Sequence, residues 1–281
     1  MSAAAVEYFK VSGGGNDFIA LVEPERLPTA GEIAAWCRRG VSLGADGLFV
    51  LRRDTAGARM DYFNADGRPA ALCINGTRCA ARLAFEMGWA GDQLTITTGA
   101  GPLRARRSGA TAVGLELGPP ADPPRELAAQ AAGQSYRGHF LEVGVPHFVL
   151  LWPESLARAP VAELGPVLRR HAVFGERGAN VDFVRFPRPE RLEIRTFERG
   201  VEAETLACGS GVLAAAATGV ALGIARLPLT ASTGGGFEME VEGEAAGGRI
   251  VRWSLAGDAR ILARGTIQAD ASAAPAAPIW S

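Results

Sequence analysis

Apolar residues along the chain recur mostly in short alternating runs, the period of half-buried strands rather than of helices. In the first half the alternation predicts strands at residues 8–11, 18–22, 47–51, 60–63, 94–97 and 112–117. In the second half it predicts strands at 139–143, 148–151, 181–185, 192–197, 237–241 and 249–255. Helical spacing is confined to 32–39, 75–87, 161–169 and 211–222. Between the halves, residues 118–124 carry four prolines in seven positions, which stop any element and form a stiff connector. Antiparallel hairpins with a few helices give two α+β halves of similar design.

The halves also resemble one another in detail. Phe63 leads through a loop to Leu72, Cys73, Ile74, Asn75 and Gly76, then to an apolar helix closed by Gly88. Phe197 leads through a loop to Ala207, Cys208, Gly209, Ser210 and Gly211, then to an apolar helix closed by Gly223. Each cysteine precedes its closing glycine by 15 residues, and the two cysteines are 135 residues apart, close to half the chain. A strand, loop, cysteine, polar residue, glycine and helix in the same order twice imply a duplicated unit.

Composition narrows the functional classes. The 281 residues are 48% hydrophobic and 21% charged, with a formal net charge of -1. Such a chain builds large cores and has no basic bias toward nucleic acid or an acidic membrane surface. The apolar stretch 206–225 is rich in alanine and glycine and reads as a buried helix, not a membrane span. The first residues lack the zones of a targeting sequence, and 271–278 read as a frayed tail. Four cysteines, Cys37, Cys73, Cys79 and Cys208, form no CxxC pair, so free thiols in a reducing cytoplasm are expected. Of 29 basic residues only Lys10 is a lysine.

Those counts bear on the chemistry. With Asn75 and Ser210 read as helix N-caps, each cysteine sits just before a helix start, where backbone N–H groups and the positive dipole end favour an anion. One such thiol on each side of an α-carbon is the requirement of a two-base racemase or epimerase. Most amino acid racemases instead use pyridoxal phosphate held on a lysine. Lys10 is followed by Ser12, Gly13, Gly14 and Gly15 without any phosphate-loop or dinucleotide pattern, so a mechanism without cofactor is favoured. Three scattered histidines give no recognisable metal site.

Several segments, taken together, resemble diaminopimelate epimerase: 12–18, 44–47, 63–67, 73–79, 144–147, 179–181 and 198–211. The resemblance runs in order from about residue 8 to about 268. It implies two pseudo-symmetric α+β domains, each a mostly antiparallel sheet wrapped around a central helix, with the active site in the cleft between them. One domain is expected at 1–118 plus about 265–281, the other at 119–264. The implied activity is cofactor-independent interconversion of LL- and meso-diaminopimelate, on the route to lysine and peptidoglycan, in a cytoplasmic homodimer. By resemblance, Cys73 and Cys208 are the paired acid and base, and His147 and Glu198 tune the thiols. Ile74, Asn75, Gly76, Gly209 and Ser210 hold the reacting carboxylate, while Asn16, Asn64, Asn180 and Arg199 contact the rest of the substrate.

Two departures concern the substrate. Ile74 stands where the family commonly has glycine, and Val145 where it has an asparagine, so a racemase for another amino acid stays open. Other classes remain beside it: a cysteine hydrolase or acyltransferase using Cys208 and His147, or a non-catalytic homologue. Cys37 and Cys79, in register with apolar helix positions, are expected to be core thiols, and Asp66 a turn residue.

Overall fold

In the computed structural model, which describes residues 6–55 and 57–272, the first unit ends at Val113 and resumes at Ala259, and the second runs Gly114–Asp258. Of the tail expected to fray at 271–278, Ala271 and Ser272 instead end a short 3-10 turn, held by Ser42 Oγ on the Ala271 carbonyl at 3.0 Å and by Trp36 Nε1 on Ser272 Oγ at 2.9 Å, while 273–278 and the first five residues lie outside the described part.

In the first unit β1 (Val6–Gly13) and β2 (Asn16–Val22) form an antiparallel hairpin. Helix α1 (Ala30–Cys37) crosses over to β3 (Gly47–Asp54), parallel to β2, and β4 (Gly57–Asn64) returns antiparallel to β3. The short β5 (Pro69–Ala70) folds back on β4, and α2 (Ile74–Glu86) leads to β6 (Gln93–Thr98), parallel to β4. β7 (Gly101–Arg107) closes the run antiparallel to β6.

β8 (Ala112–Leu117) enters the second unit by pairing with its last strand. That pairing engages the chain before the prolines, so the unit bounds fall a few residues ahead of the proline-rich seam. β9 (Arg125–Ala131) and β10 (Gln134–Val143) are antiparallel, as are β10 and β11 (Val145–Leu151). Helix α3 (Val161–Arg169) crosses to β12 (Asn180–Arg188), parallel to β11, and β13 (Arg191–Glu198) returns antiparallel. β14 (Ala203–Thr205) folds back on β13, and α4 (Gly209–Ala221) leads to β15 (Leu229–Thr233), parallel to β13. β16 (Glu238–Ala246) and β17 (Arg249–Asp258) complete the unit antiparallel, and β18 (Arg260–Ile267) rejoins the first unit on β1. Hairpin, helical crossover, parallel strand, return, short strand, helix, parallel strand, return: the order is the same in both units, as the repeat implied.

Each unit wraps its strands around one helix. α2 packs on β1, β2, β3, β4, β6, β7 and β18, and α4 on β10, β11, β12, β13, β16 and β17. Val212 to Val220 of α4 are all apolar or small and buried without exception, whereas α2 also carries the fully buried Arg78 and, at its end, the exposed Glu86. At Gly219 a Cβ would lie 2.6 Å from the Phe186 ring, so the sheet approaches that helix as closely as a missing side chain permits. Further cores lie under the crossover helices, around Ile33, Trp36 and Val50 in the first unit and around Phe148, Leu164 and Phe197 in the second.

Two features escaped the sequence pattern for identifiable reasons. α1 begins at Ala30, two residues before the expected start, because Thr29 and Glu32 form a reciprocal capping box. β7, β9, β15 and β18 carry alanine, arginine or threonine at positions where the other strands have Ile, Leu, Val or Phe, so alternation is faint there.

The turn that follows β4 tests how closely the first unit is packed. Gly67 has φ +84°, and a Cβ there would lie 2.3 Å from the Ala30 carbonyl oxygen; Gly88, at φ +68°, has nothing within 4 Å. Gly88→Ala is expected to cost roughly 1–2 kcal/mol for the left-handed backbone alone, and Gly67→Ala about 1–3 kcal/mol more for the clash. Urea denaturation midpoints of the two variants check this.

Candidate active site

The N-cap of α2 is Cys73 itself, and that of α4 is Cys208, not Asn75 and Ser210 as the sequence suggested. Both cysteines are extended, with φ/ψ of -136°/108° and -119°/108°, while their carbonyls already accept the first helical N–H, from Thr77 at 2.8 Å and Val212 at 3.0 Å. The polar residues two positions on lie inside the first turn and have other partners. Each sulfur therefore sits directly at the positive end of its helix.

In the first unit the Gly76 N–H donates to Cys73 Sγ at 3.4 Å. The Asn75 amide is buried, donates to Asn16 Oδ1 at 2.8 Å and accepts from the fully buried Arg78 at 2.8 Å. Asn16 in turn donates to Asp46 Oδ2 at 3.0 Å. Asn16 and Asn75, both expected at the substrate, are thus joined in one network beside Cys73. Ile74 is half-buried at the head of the helix. Asn64 is exposed at the end of β4, its backbone closing the turn with Gly67 and Arg68. Asp66 accepts from the Arg68 N–H at 2.9 Å and is the turn residue expected.

Tyr62 on β4 hydrogen-bonds the Cys73 thiol, and burial with the neighbouring sulfur pushes its phenol well above the usual range. The ring stands edge-on to Phe18, 6.1 Å between centroids. Gly47 makes room for it, since a Cβ there would lie 2.7 Å from the Tyr62 hydroxyl.

In the second unit three adjacent strands supply a polar chain under the start of α4. In register, β11 and β12 set His147 beside Asn180, and β12 and β13 set Asp182 beside Thr196. His147 and Asp182 are fully buried, with Nδ1 2.7 Å from Asp182 Oδ2. Thr196 donates to the other carboxylate oxygen at 2.8 Å. On its far side His147 Nε2 is 3.0 Å from Ser210 Oγ, which is 3.4 Å from Cys208 Sγ. Glu198 accepts from Thr205 at 2.6 Å and also hydrogen-bonds the Cys208 thiol. Burial pushes the Cys208 thiol well up, helped by the charges of Glu198 and Asp182, and burial likewise raises the Glu198 carboxyl. Asn180 Oδ1 holds the Arg199 backbone N–H at 2.8 Å, and the Arg199 guanidinium reaches the Arg177 carbonyl at 3.4 Å. Gly209 lies buried in the first turn of α4.

The remaining sequence candidates are structural. Cys37 and Cys79 are buried in the first unit, and burial pushes the Cys37 thiol up to about 11. Lys10 is held by Asp17 at 2.7 Å and by the Gly44 carbonyl.

The diaminopimelate epimerase family model matches residues 8–121 and 139–259, spanning both cysteine-bearing helix starts. The chain belongs to that family. It is similar to the diaminopimelate epimerase of Gemmatimonas aurantiaca, 38% identical over 277 residues that cover 93% of this chain and 99% of the relative. That of Methanothrix thermoacetophila is 40% identical over 248 residues, covering 82% and 87%. Among solved structures, a hydroxyproline epimerase from Agrobacterium vitis with bound trans-4-hydroxy-L-proline has a TM-score of 0.72 at 16% identity, covering 96% of this chain and 94% of that one. A phenazine biosynthesis PhzF family protein from Enterococcus faecalis has a TM-score of 0.68 at 18% identity, covering 93% and 98%. These share the fold, two α+β units of the kind expected. Among the described residues no helix is long and apolar enough to cross a membrane.

Three residues of this diaminopimelate epimerase family member were missed by sequence reasoning: Asp182, Tyr62 and Asp46. The one available signal was Asp182, a charge inside the apolar run Val181 to Val184, two positions from Asn180 and so on the same strand face. A phenol donating to a thiolate favours the charged form, so Tyr62→Phe is expected to raise the pH at which Cys73 ionises. Gly47→Ala, by displacing the phenol, is expected to do the same. The pH dependence of Cys73 alkylation, located by mass spectrometry, reads both.

Proposed function

We propose that the protein is a cofactor-independent epimerase that interconverts LL- and meso-diaminopimelate through Cys73 and Cys208. The observation that carries the reading is the duplicated cysteine cap: in each unit one sulfur stands at the N-terminus of a helix enclosed by strands. Helix-start N–H groups bind the reacting carboxylate and stabilise the negative charge that develops on it when the α-proton leaves. One sulfur takes the proton, and the other returns a proton to the opposite face of the carbon. Burial and the flanking carboxylates keep Cys208 protonated at rest, so it enters as the acid. For turnover in the other direction it must give that proton up to its own unit. Asn16, Asn64, Asn180 and Arg199 address the remainder of the substrate, with Arg199 suited to a distal carboxylate.

Lys10, the one lysine, is bound to Asp17 and the Gly44 carbonyl, which supports chemistry without a pyridoxal Schiff base. Cytoplasmic residence and a homodimer belong to the same proposal, as does a place in lysine and peptidoglycan synthesis. Val145, whose side chain has no amide, favours one second reading, a racemase for another amino acid.

Incubation in deuterated water with LL- and meso-diaminopimelate and a panel of other L-amino acids separates these readings. The proposal expects α-deuterium in diaminopimelate. Exchange only in another amino acid keeps the chemistry and replaces the substrate, and exchange in none overturns the epimerase reading. Cys73→Ala is expected to abolish epimerisation, whereas a hydrolase built on Cys208 and His147 would survive it.

A further inference from the structure

The second unit holds more acid–base machinery than a single thiol at a helix start requires. Cys208, Ser210, His147 and Asp182 form an unbroken line of contacts at 3.4, 3.0 and 2.7 Å, and both ends of the imidazole are enclosed. A carboxylate only accepts, so the Nδ1 position facing Asp182 carries the hydrogen and Nε2 presents its lone pair to Ser210. The Ser210 hydroxyl then donates to Nε2 and is left to accept from the thiol, whose single hydrogen is shared between two acceptors in reach, Ser210 Oγ and the Glu198 carboxylate. Asp182 is itself completed by Thr196, which fixes the carboxylate and with it the imidazole tautomer. The helix start approaches this carboxylate only because residue 211 is glycine: a Cβ there would lie 2.5 Å from Asp182 Oδ1 and 3.1 Å from Thr196 Oγ1.

We infer that Ser210 relays the Cys208 proton to His147, with Asp182 as the positioning residue that keeps His147 in the accepting tautomer. The inference rests on the epimerase reading for its purpose and on the second unit alone for its geometry. The Cys208 S–H bond breaks and sulfur keeps the electron pair. Its proton joins Ser210 Oγ as the serine's own proton passes to His147 Nε2. The resulting imidazolium stays bonded through Nδ1–H to Asp182, and the steps reverse to reload the thiol. Ser210 thereby acts through its side chain as well as through the backbone N–H expected of it. The groups facing Cys208 are Ser210, Glu198 and the charge of Asp182, so direct transfer to Glu198 is the competing route.

The test compares wild type with Ser210→Ala, Ser210→Thr and Asp182→Asn. The first readout is the pH dependence of Cys208 alkylation by iodoacetamide in the absence of substrate. The relay predicts that Ser210→Ala and Asp182→Asn slow alkylation near neutral pH about tenfold, equivalent to about 1.4 kcal/mol, and move its midpoint upward, while Ser210→Thr keeps the wild-type profile. A wild-type profile in Ser210→Ala overturns the relay and assigns the proton to Glu198. The second readout is the rate of epimerisation in mixtures of light and heavy water, expected to be curved in wild type and Ser210→Thr and linear in Ser210→Ala. Curvature retained in Ser210→Ala also overturns it. Thermal unfolding of each variant verifies the fold, and because alkylation needs no substrate, its outcome is independent of whether diaminopimelate is turned over.

Discussion

Enclosing a helix on every side by strands is the constraint on which the rest of each unit depends. Such a helix can meet a polar ligand only at its ends, and it must satisfy its own terminal groups. In both units the residue that makes the entry turn is a cysteine in extended conformation. The position that caps the helix is also the position where positive dipole and unused N–H groups gather, so in the proposed mechanism one residue serves the fold and the chemistry. The alanine and glycine content of α4 follows from the same constraint, since large side chains would hold the strands away.

The two helix starts are equivalent in topology and unlike in surroundings. Cys73 has a phenol and an amide network of Asn16, Asn75, Arg78 and Asp46 around it. Cys208 has a buried carboxylate, imidazole and hydroxyl, with Glu198 on another side. A duplicated scaffold has the same backbone geometry at the two cysteines and different side chains around them. In the proposed mechanism two sulfurs that alternate as acid and base face the same task in opposite order, and the different neighbours give each its own means of gaining or losing a proton.

Much of this was legible in the sequence. The strong strands, the two Cys-x-polar-Gly helix starts and the repeat between them rest on local pattern, and local pattern survives folding. The helix caps were misplaced because Asn75 and Ser210 are better cap formers in isolation than cysteine; their side chains are drawn off by Asn16 and Arg78 in one case and by His147 in the other. Tyr62 was invisible as a site residue because a polar group in a strand reads as solvent-facing, and Asp182, though its charge stands out in an apolar run, acquires its partners only through the register of β11, β12 and β13. β9 and β18 were hidden by their arginines and alanines, which pattern alone assigns to surface loops.

The central claim is that two different groups handle the α-proton on opposite faces of one carbon. Its most direct test is the position of deuterium at early conversion in heavy water, starting from protiated LL-diaminopimelate. With two bases the epimerised product carries deuterium, delivered by a thiol equilibrated with solvent, while the recovered starting isomer remains protiated. Deuterium appearing equally in product and recovered starting isomer would mean a single base serving both faces, and would contradict the account.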